Sequence, residues 1–183
     1  MLFGVKQELA LECLLDQIES DPQDYLLGNI VLWAGGFVIG DFSQTVILDL
    51  PYSNFKISLT ECGKRQDSNL MKMTPGEVWE FLNSAIYGDN SDDNMASYSH
   101  LAKREQKYRK FCICPGFSEA FDGEIAFLIE GEEEERFIWK ELVSQTIKEV
   151  RLKPQTYKYI IESFTAWYSH LIVTIKSSRP VSN

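Results

Sequence analysis

The chain is 183 residues long, 44% hydrophobic and 13% aromatic, with a formal net charge of −9 and a pI near 4.8. This length and apolar content suit one domain that buries roughly 70% of the surface its unfolded form exposes, which excludes global disorder. The negative balance excludes a reader of phosphate backbones and disfavours an anionic membrane surface, whereas it favours a basic protein partner.

The charge is uneven along the chain. Residues 1–62 carry nine acids and two bases, and residues 111–141 again carry nine and two. Residues 63–110 are close to neutral, and residues 142–183 hold two acids and six bases. If the two acidic segments share a sheet, they form one negative face.

In chain order, residues 2–18 are rich in apolar side chains, with Glu8, Glu12 and Asp16 at four-residue intervals. That interval marks one face of a helix, yet the segment also reads as a long strand. Asp21-Pro22 breaks it. Asn29–Ala34 and Phe37–Asp41 flank Gly35-Gly36, the composition of a hairpin with a two-residue turn. Residues 45–50 read as a strand or short helix, and Pro51 starts or kinks a helix that Gly63 stops. Thr74, Pro75 and Glu77 form a capping box for a helix over 74–87, whose apolar stripe is Val78, Trp79, Leu82, Ala85 and Ile86. Residues 88–110 begin as an Asp/Asn-rich loop and end basic. Phe111–Cys114 is a short strand, and 124–129 with 136–139 make a second hairpin around Gly131-Glu-Glu-Glu-Glu135. Residues 146–152 add a strand, and Pro154 opens a long helix striped with Tyr157, Ile160, Ile161, Phe164, Trp167 or Tyr168, Leu171 and Ile172. The whole predicts an α+β fold: an antiparallel sheet built from two hairpins, packed with three or four helices. One domain spans 1–176, and 177–183 form a flexible tail.

Chemistry-bearing motifs are sparse. Cys13, Cys62, Cys112 and Cys114 match neither a disulfide framework nor a paired C-x₂-C zinc site, so they read as buried thiols in a reducing compartment. His100 and His170 have no triad partners, and no P-loop or dinucleotide fingerprint occurs. Asp89, Ser91 and Asp93 alternate as in a calcium loop, but Asn94 and His100 stand where its glycine and distal glutamate belong. No catalytic residue, metal or cofactor is predicted. The N-terminus lacks the pattern of a signal peptide and no run of about 20 apolar residues occurs, so a cytoplasmic location is expected. The distinctive features are acidic loops, which offer landing sites for Lys and Arg of a partner. The candidate partner-binding residues are Asp89, Asp92, Asp93, Phe117, Glu119, Asp122, Glu132, Glu133, Glu134 and Glu135, with Phe121 and Trp139 as further aromatic anchors; the three aromatics also read as core residues, the better-supported reading of the two.

Several segments together resemble an immunity-protein family of bacterial polymorphic toxin systems, which include contact-dependent growth inhibition. They are Phe3-Gly4, Trp33-Ala-Gly-Gly-Phe-Val-Ile-Gly-Asp41, Cys62-Gly-Lys-Arg65, Phe121-Asp-Gly-Glu-Ile-Ala-Phe-Leu-Ile-Glu130 and Arg136-Phe-Ile-Trp-Lys140. The resemblance implies a small cytoplasmic α+β protein without catalytic residues. It would bind its cognate toxin domain and block the active site or substrate access, as a monomer or weak homodimer. It assigns no toxin-facing residues. The acidic balance fits a basic toxin such as a nuclease. The competing readings are a non-catalytic adaptor or scaffold, homodimeric through a sheet edge, and a carboxylate-dependent hydrolase.

Overall fold

A computed structural model describes residues 1–16, 25–88, 103–114 and 118–178. The Asp21-Pro22 break, the loop from Asp89 to Asn94 with its calcium pattern, His100, Phe117 and residues 179–183 lie outside the described residues. The first sheet contains β1 (Leu2–Gly4), β2 (Leu9–Leu15), β3 (Leu27–Ala34), β4 (Phe37–Ile39) and β5 (Val46–Ile47). Its order is β1-β2-β3-β4, with β5 also paired to β3, and every pairing is antiparallel. The second sheet is β6-β7-β8-β9, also antiparallel, from β6 (Cys112–Ile113), β7 (Ala126–Glu130), β8 (Glu135–Lys140) and β9 (Ile147–Leu152). The helices are α1 (Asp49–Leu59), α2 (Pro75–Tyr87), α3 over 103–108 and α4 (Thr156–Ser178).

Both predicted hairpins are present, each within its own sheet. In the first, Ala34 pairs with Phe37 across Gly35 and Gly36, whose φ values of 57° and 83° are the left-handed pair a tight hairpin turn requires. The ambiguous N-terminal segment is a strand. Its three acids share a face in either reading, because a spacing of four is close to one helical turn and is also a multiple of the strand period of two. Residues 45–50 divide between β5 and the start of α1. Pro51 sits in the first turn of α1, where its missing N–H costs nothing. Around α2 the predicted capping box is complete: Thr74 accepts from the Glu77 N–H, and Glu77 accepts from the Thr74 N–H at 2.8 Å. The final helix continues to Ser178, through the first two residues of the expected tail.

Two cores result from this layering. The larger lies between the inner face of the first sheet, α1, α4 and one face of the second sheet, and includes Leu11, Ile30, Phe55, Leu128, Phe137 and Phe164. The smaller lies between the opposite face of the second sheet and α2, with Val78, Trp79, Leu82, Phe127 and Ile138. The second sheet is therefore covered on both faces, which is why Ala126–Ile129 of β7 and Phe137–Trp139 of β8 are unbroken apolar runs rather than alternating ones. The acidic segments 1–62 and 111–141 build different sheets, so they do not form one sheet face.

Candidate partner-binding surface

Gly40 determines how the two sheets meet. It has φ +103°, and an added Cβ would lie 2.8 Å from the Ala120 carbonyl oxygen, so only glycine fits. The Gly40 N–H donates to Glu124 Oε1 at 3.1 Å, and the Asp41 N–H donates to the Ala120 carbonyl at 2.7 Å. These bonds dock the end of β4 on the 3₁₀ turn Glu119–Phe121. Three exposed carboxylates, Asp41, Glu119 and Asp122, gather at this junction beside the half-buried Glu124. The Asp41 carboxyl is held below its ordinary value by the Ser43 hydroxyl and N–H. Burial raises that of Glu124, against the opposing Gly40 hydrogen bond. Both effects follow from the hydrogen bonds and burial that shape the loop.

The tip of the second hairpin behaves differently from its sequence. Glu132 and Glu133 are exposed, and Glu134 pairs with Arg151 of β9. Glu135 does not join them: it is 3% exposed, and its carboxylate accepts the N–H groups of Gln155 (2.6 Å) and Tyr157 (3.1 Å). It thus caps the start of α4, where the helix dipole favours an anion. Burial raises its carboxyl above the ordinary value even against these hydrogen bonds. Glu135 is therefore a structural group and not a landing site for a partner.

Glu119 and Asp122 stand at one end of the β7–β8 hairpin and Glu132–Glu134 at the other. Five residues of β7 separate them, roughly 17 Å at 3.4 Å per residue. The predicted acids therefore form two separate patches. Of the candidate aromatic anchors, Phe121 and Trp139 are each 2% exposed and belong to the larger core, so the core reading holds for both and the anchor reading does not. Asp89, Asp92, Asp93 and Phe117 lie outside the described residues.

Sequence reasoning missed two buried arginines. Arg65 is 1% exposed and donates to the Lys110 carbonyl (2.7 Å), the Ser58 carbonyl and hydroxyl (2.7 Å each) and Glu130 Oε1 (3.4 Å). Glu130 Oε2 accepts the N–H groups of Gly63 (2.7 Å) and Arg65 (3.2 Å). The Ser58 hydroxyl also meets the Tyr157 hydroxyl at 2.7 Å. The cluster ties α1, β7 and α4 together. Arg136, fully buried in β8, pairs with Glu149 and donates to the Leu70 and Met73 carbonyls at 2.6 and 2.9 Å. That fixes one wall of an open groove of about 360 Å³, which Asp67, Lys72, Phe81 and Tyr108 complete. The sequence offered little signal, since Arg65 follows Lys64 in a loop and Arg136 follows four glutamates, so both read as parts of solvated charge clusters.

The residues carry little reactive chemistry. Burial pushes the Cys13 thiol up to about 12 and the Cys112 thiol to about 11, and raises Cys114 well above its ordinary value. Thiols so disposed are poor nucleophiles. His170 is exposed, with Thr174 beside it on the same helix. Among the described residues, no group of three or more His, Cys, Asp or Glu side chains is arranged to hold a metal ion. No described helix is long and apolar enough to cross a membrane.

Comparison with known proteins places this geometry among relatives. The family model for immunity protein 42 matches residues 1–167. The fold is similar to the crystal structure of CdiI from Burkholderia dolosa AUO158, with a TM-score of 0.69 at 17% sequence identity, covering 91% of this chain and 99% of that one. No curated protein matches the chain.

Proposed function

The chain belongs to the immunity protein 42 family, and from that membership we propose that it binds and neutralises a cognate bacterial toxin domain by stoichiometric capture. The observation that carries this reading is the family match, which spans residues 1–167 of 183. The net charge of −9 supports a basic toxin, of which a nuclease is the natural example, because opposite charges speed and orient the encounter. The buried, high-pKa thiols support a binding role over nucleophilic catalysis. The protein acts in the cytoplasm as one domain of residues 1–176, one copy per toxin, and covers the toxin's active site or the approach of its substrate.

Co-expression tests this reading. The toxin domain encoded immediately upstream should arrest growth when produced alone, and this chain should restore growth in proportion to its amount. An inactivated toxin domain should still co-purify with the chain. Continued arrest in cells that contain the intact chain would contradict the proposal.

A further inference from the structure

We propose that the outer face of the first sheet is the surface on which the toxin domain docks, an inference that rests on the function proposed above. Among the described residues, the helices that pack on this sheet, α1 and α4, do so from its inner side. Phe3 of β1, for example, meets Phe164 of α4 with ring centroids 5.9 Å apart. Register and alternation then place Leu2, Leu14, Leu27, Val38 and Ile47 on the opposite face, with Trp33 among them. Those five aliphatic side chains are 43–53% exposed. Scattered exposed leucines are ordinary, but five exposed aliphatic side chains on one face of one sheet, set around Glu12, Asn29 and the buried Val31, give that face the apolar character of an interaction surface.

Charge selects the occupant. The same alternation carries Glu12 onto this face. The pairing of β2 with β3 continues beyond its ends, since the Gly35 N–H donates to the Glu8 carbonyl (2.9 Å) and the Asp16 N–H to the Leu27 carbonyl (3.0 Å). Glu8 and Asp16 thus bracket the patch on the line of Glu12. Two cations lie nearby: Lys6, 2.6 Å from Glu12 Oε2 and 3.9 Å above the Trp33 ring, and the Met1 ammonium, which donates to the Cys13 carbonyl; Glu12 matches the first, and Glu8 and Asp16 keep the face net negative. The Trp33 Nε1–H also donates to Glu12 (2.8 Å), which fixes both side chains in the centre of the face. An apolar patch bracketed by carboxylates fits a partner with an apolar anchor flanked by Lys or Arg. A second copy of this chain fits poorly, because a two-fold interface would set these acids against their own counterparts.

Size adds a requirement. β2 and β3 are seven and eight residues long and β1 and β4 flank them with three each, so at 4.8 Å between strands the face presents at most roughly 14 by 24 Å, below the ~800 Å² per partner of a standard interface. The contact must therefore extend past an edge of the sheet. At the β4 edge lies the junction of Asp41, Glu119 and Asp122, which continues the negative surface in that direction.

The test is calorimetric titration of the purified, catalytically inactivated toxin domain encoded upstream into four folded forms of this chain. These are the wild type, Leu14→Lys with Leu27→Lys, Glu8→Lys with Asp16→Lys, and Glu132→Lys with Glu133→Lys at the far tip. Thermal melts establish that each variant is folded; the Glu8/Asp16 variant keeps the apolar face intact should the leucine variant fail to fold. Either sheet-face variant should raise Kd at least ~100-fold, and the tip variant less than ~5-fold. Wild-type affinity in folded sheet-face variants would overturn the docking surface and leave the antitoxin role standing. Loss of affinity in the tip variant alone would relocate the interface. A dimer of the isolated chain that Leu14→Lys dissociates would assign the face to a second copy. No binding by the wild type would remove the functional reading itself.

Discussion

Replacing Arg65 by alanine should lower the free energy of unfolding by about 3–5 kcal/mol, the usual cost of removing one partner of a buried ion pair. The guanidinium is 1% exposed, so solvent screening does not discount its interactions. Its loss leaves the Glu130 carboxylate in the interior with only the N–H groups of Gly63 and residue 65 as donors. It also leaves the carbonyls of Ser58 and Lys110 without the side chain that now satisfies them. Against a typical total of about 5–15 kcal/mol, the variant stands near the folding threshold. Combining Arg65→Met with Glu130→Gln should recover much of the loss, because the neutral pair no longer buries an uncompensated charge. Urea unfolding of Arg65→Met, Glu130→Gln and the double variant measures this coupling. A single-variant loss under about 1 kcal/mol would mean that the cluster does not hold α1, β7 and α4 together.

Trp139→Ala should cost a similar ~3–5 kcal/mol, the range for truncating a buried aromatic side chain. The indole is 2% exposed, and Phe37 of the first sheet and Phe137 of the second each lie 6.1 Å from it, centroid to centroid. It therefore joins the turn of the first hairpin to the second sheet. Trp139→Phe should cost clearly less, since it keeps an aromatic body in the site. The folded fraction of either variant should bind the toxin domain with wild-type affinity, because the residue lies in the core. Weaker binding by a folded Trp139→Phe protein would contradict a purely structural role for Trp139.

The legible parts of the sequence were those in which local chemistry and global fold agree. Gly35-Gly36 specified a hairpin because only glycine readily supplies two left-handed residues in succession. Thr74, Pro75 and Glu77 specified the start of a helix through hydrogen bonds made within four residues. The spacing of Glu8, Glu12 and Asp16 could not separate strand from helix, since both periods return to the same face after four residues. Partition of the two hairpins between sheets was hidden for another reason: it depends on contacts such as Asp41 with Ala120, far apart in the chain. The run from Glu132 to Glu135 looked uniform, yet one member turns inward because the N-terminus of α4, twenty residues on, needs an acceptor. Arg65 and Glu130 likewise find each other across 65 residues. The proposed docking face was hard to see because its leucines and isoleucine resemble core residues until the register shows which side of the sheet they occupy.

The proposed role requires that this chain capture a toxin domain directly. Its most direct test is titration of the purified chain with the purified toxin domain encoded beside it, at two salt concentrations. The account predicts saturation at one copy each, a Kd at or below about 10 nM, and weaker binding at the higher salt as the electrostatic attraction is screened. No heat and no co-elution at micromolar concentrations of both folded proteins would contradict it.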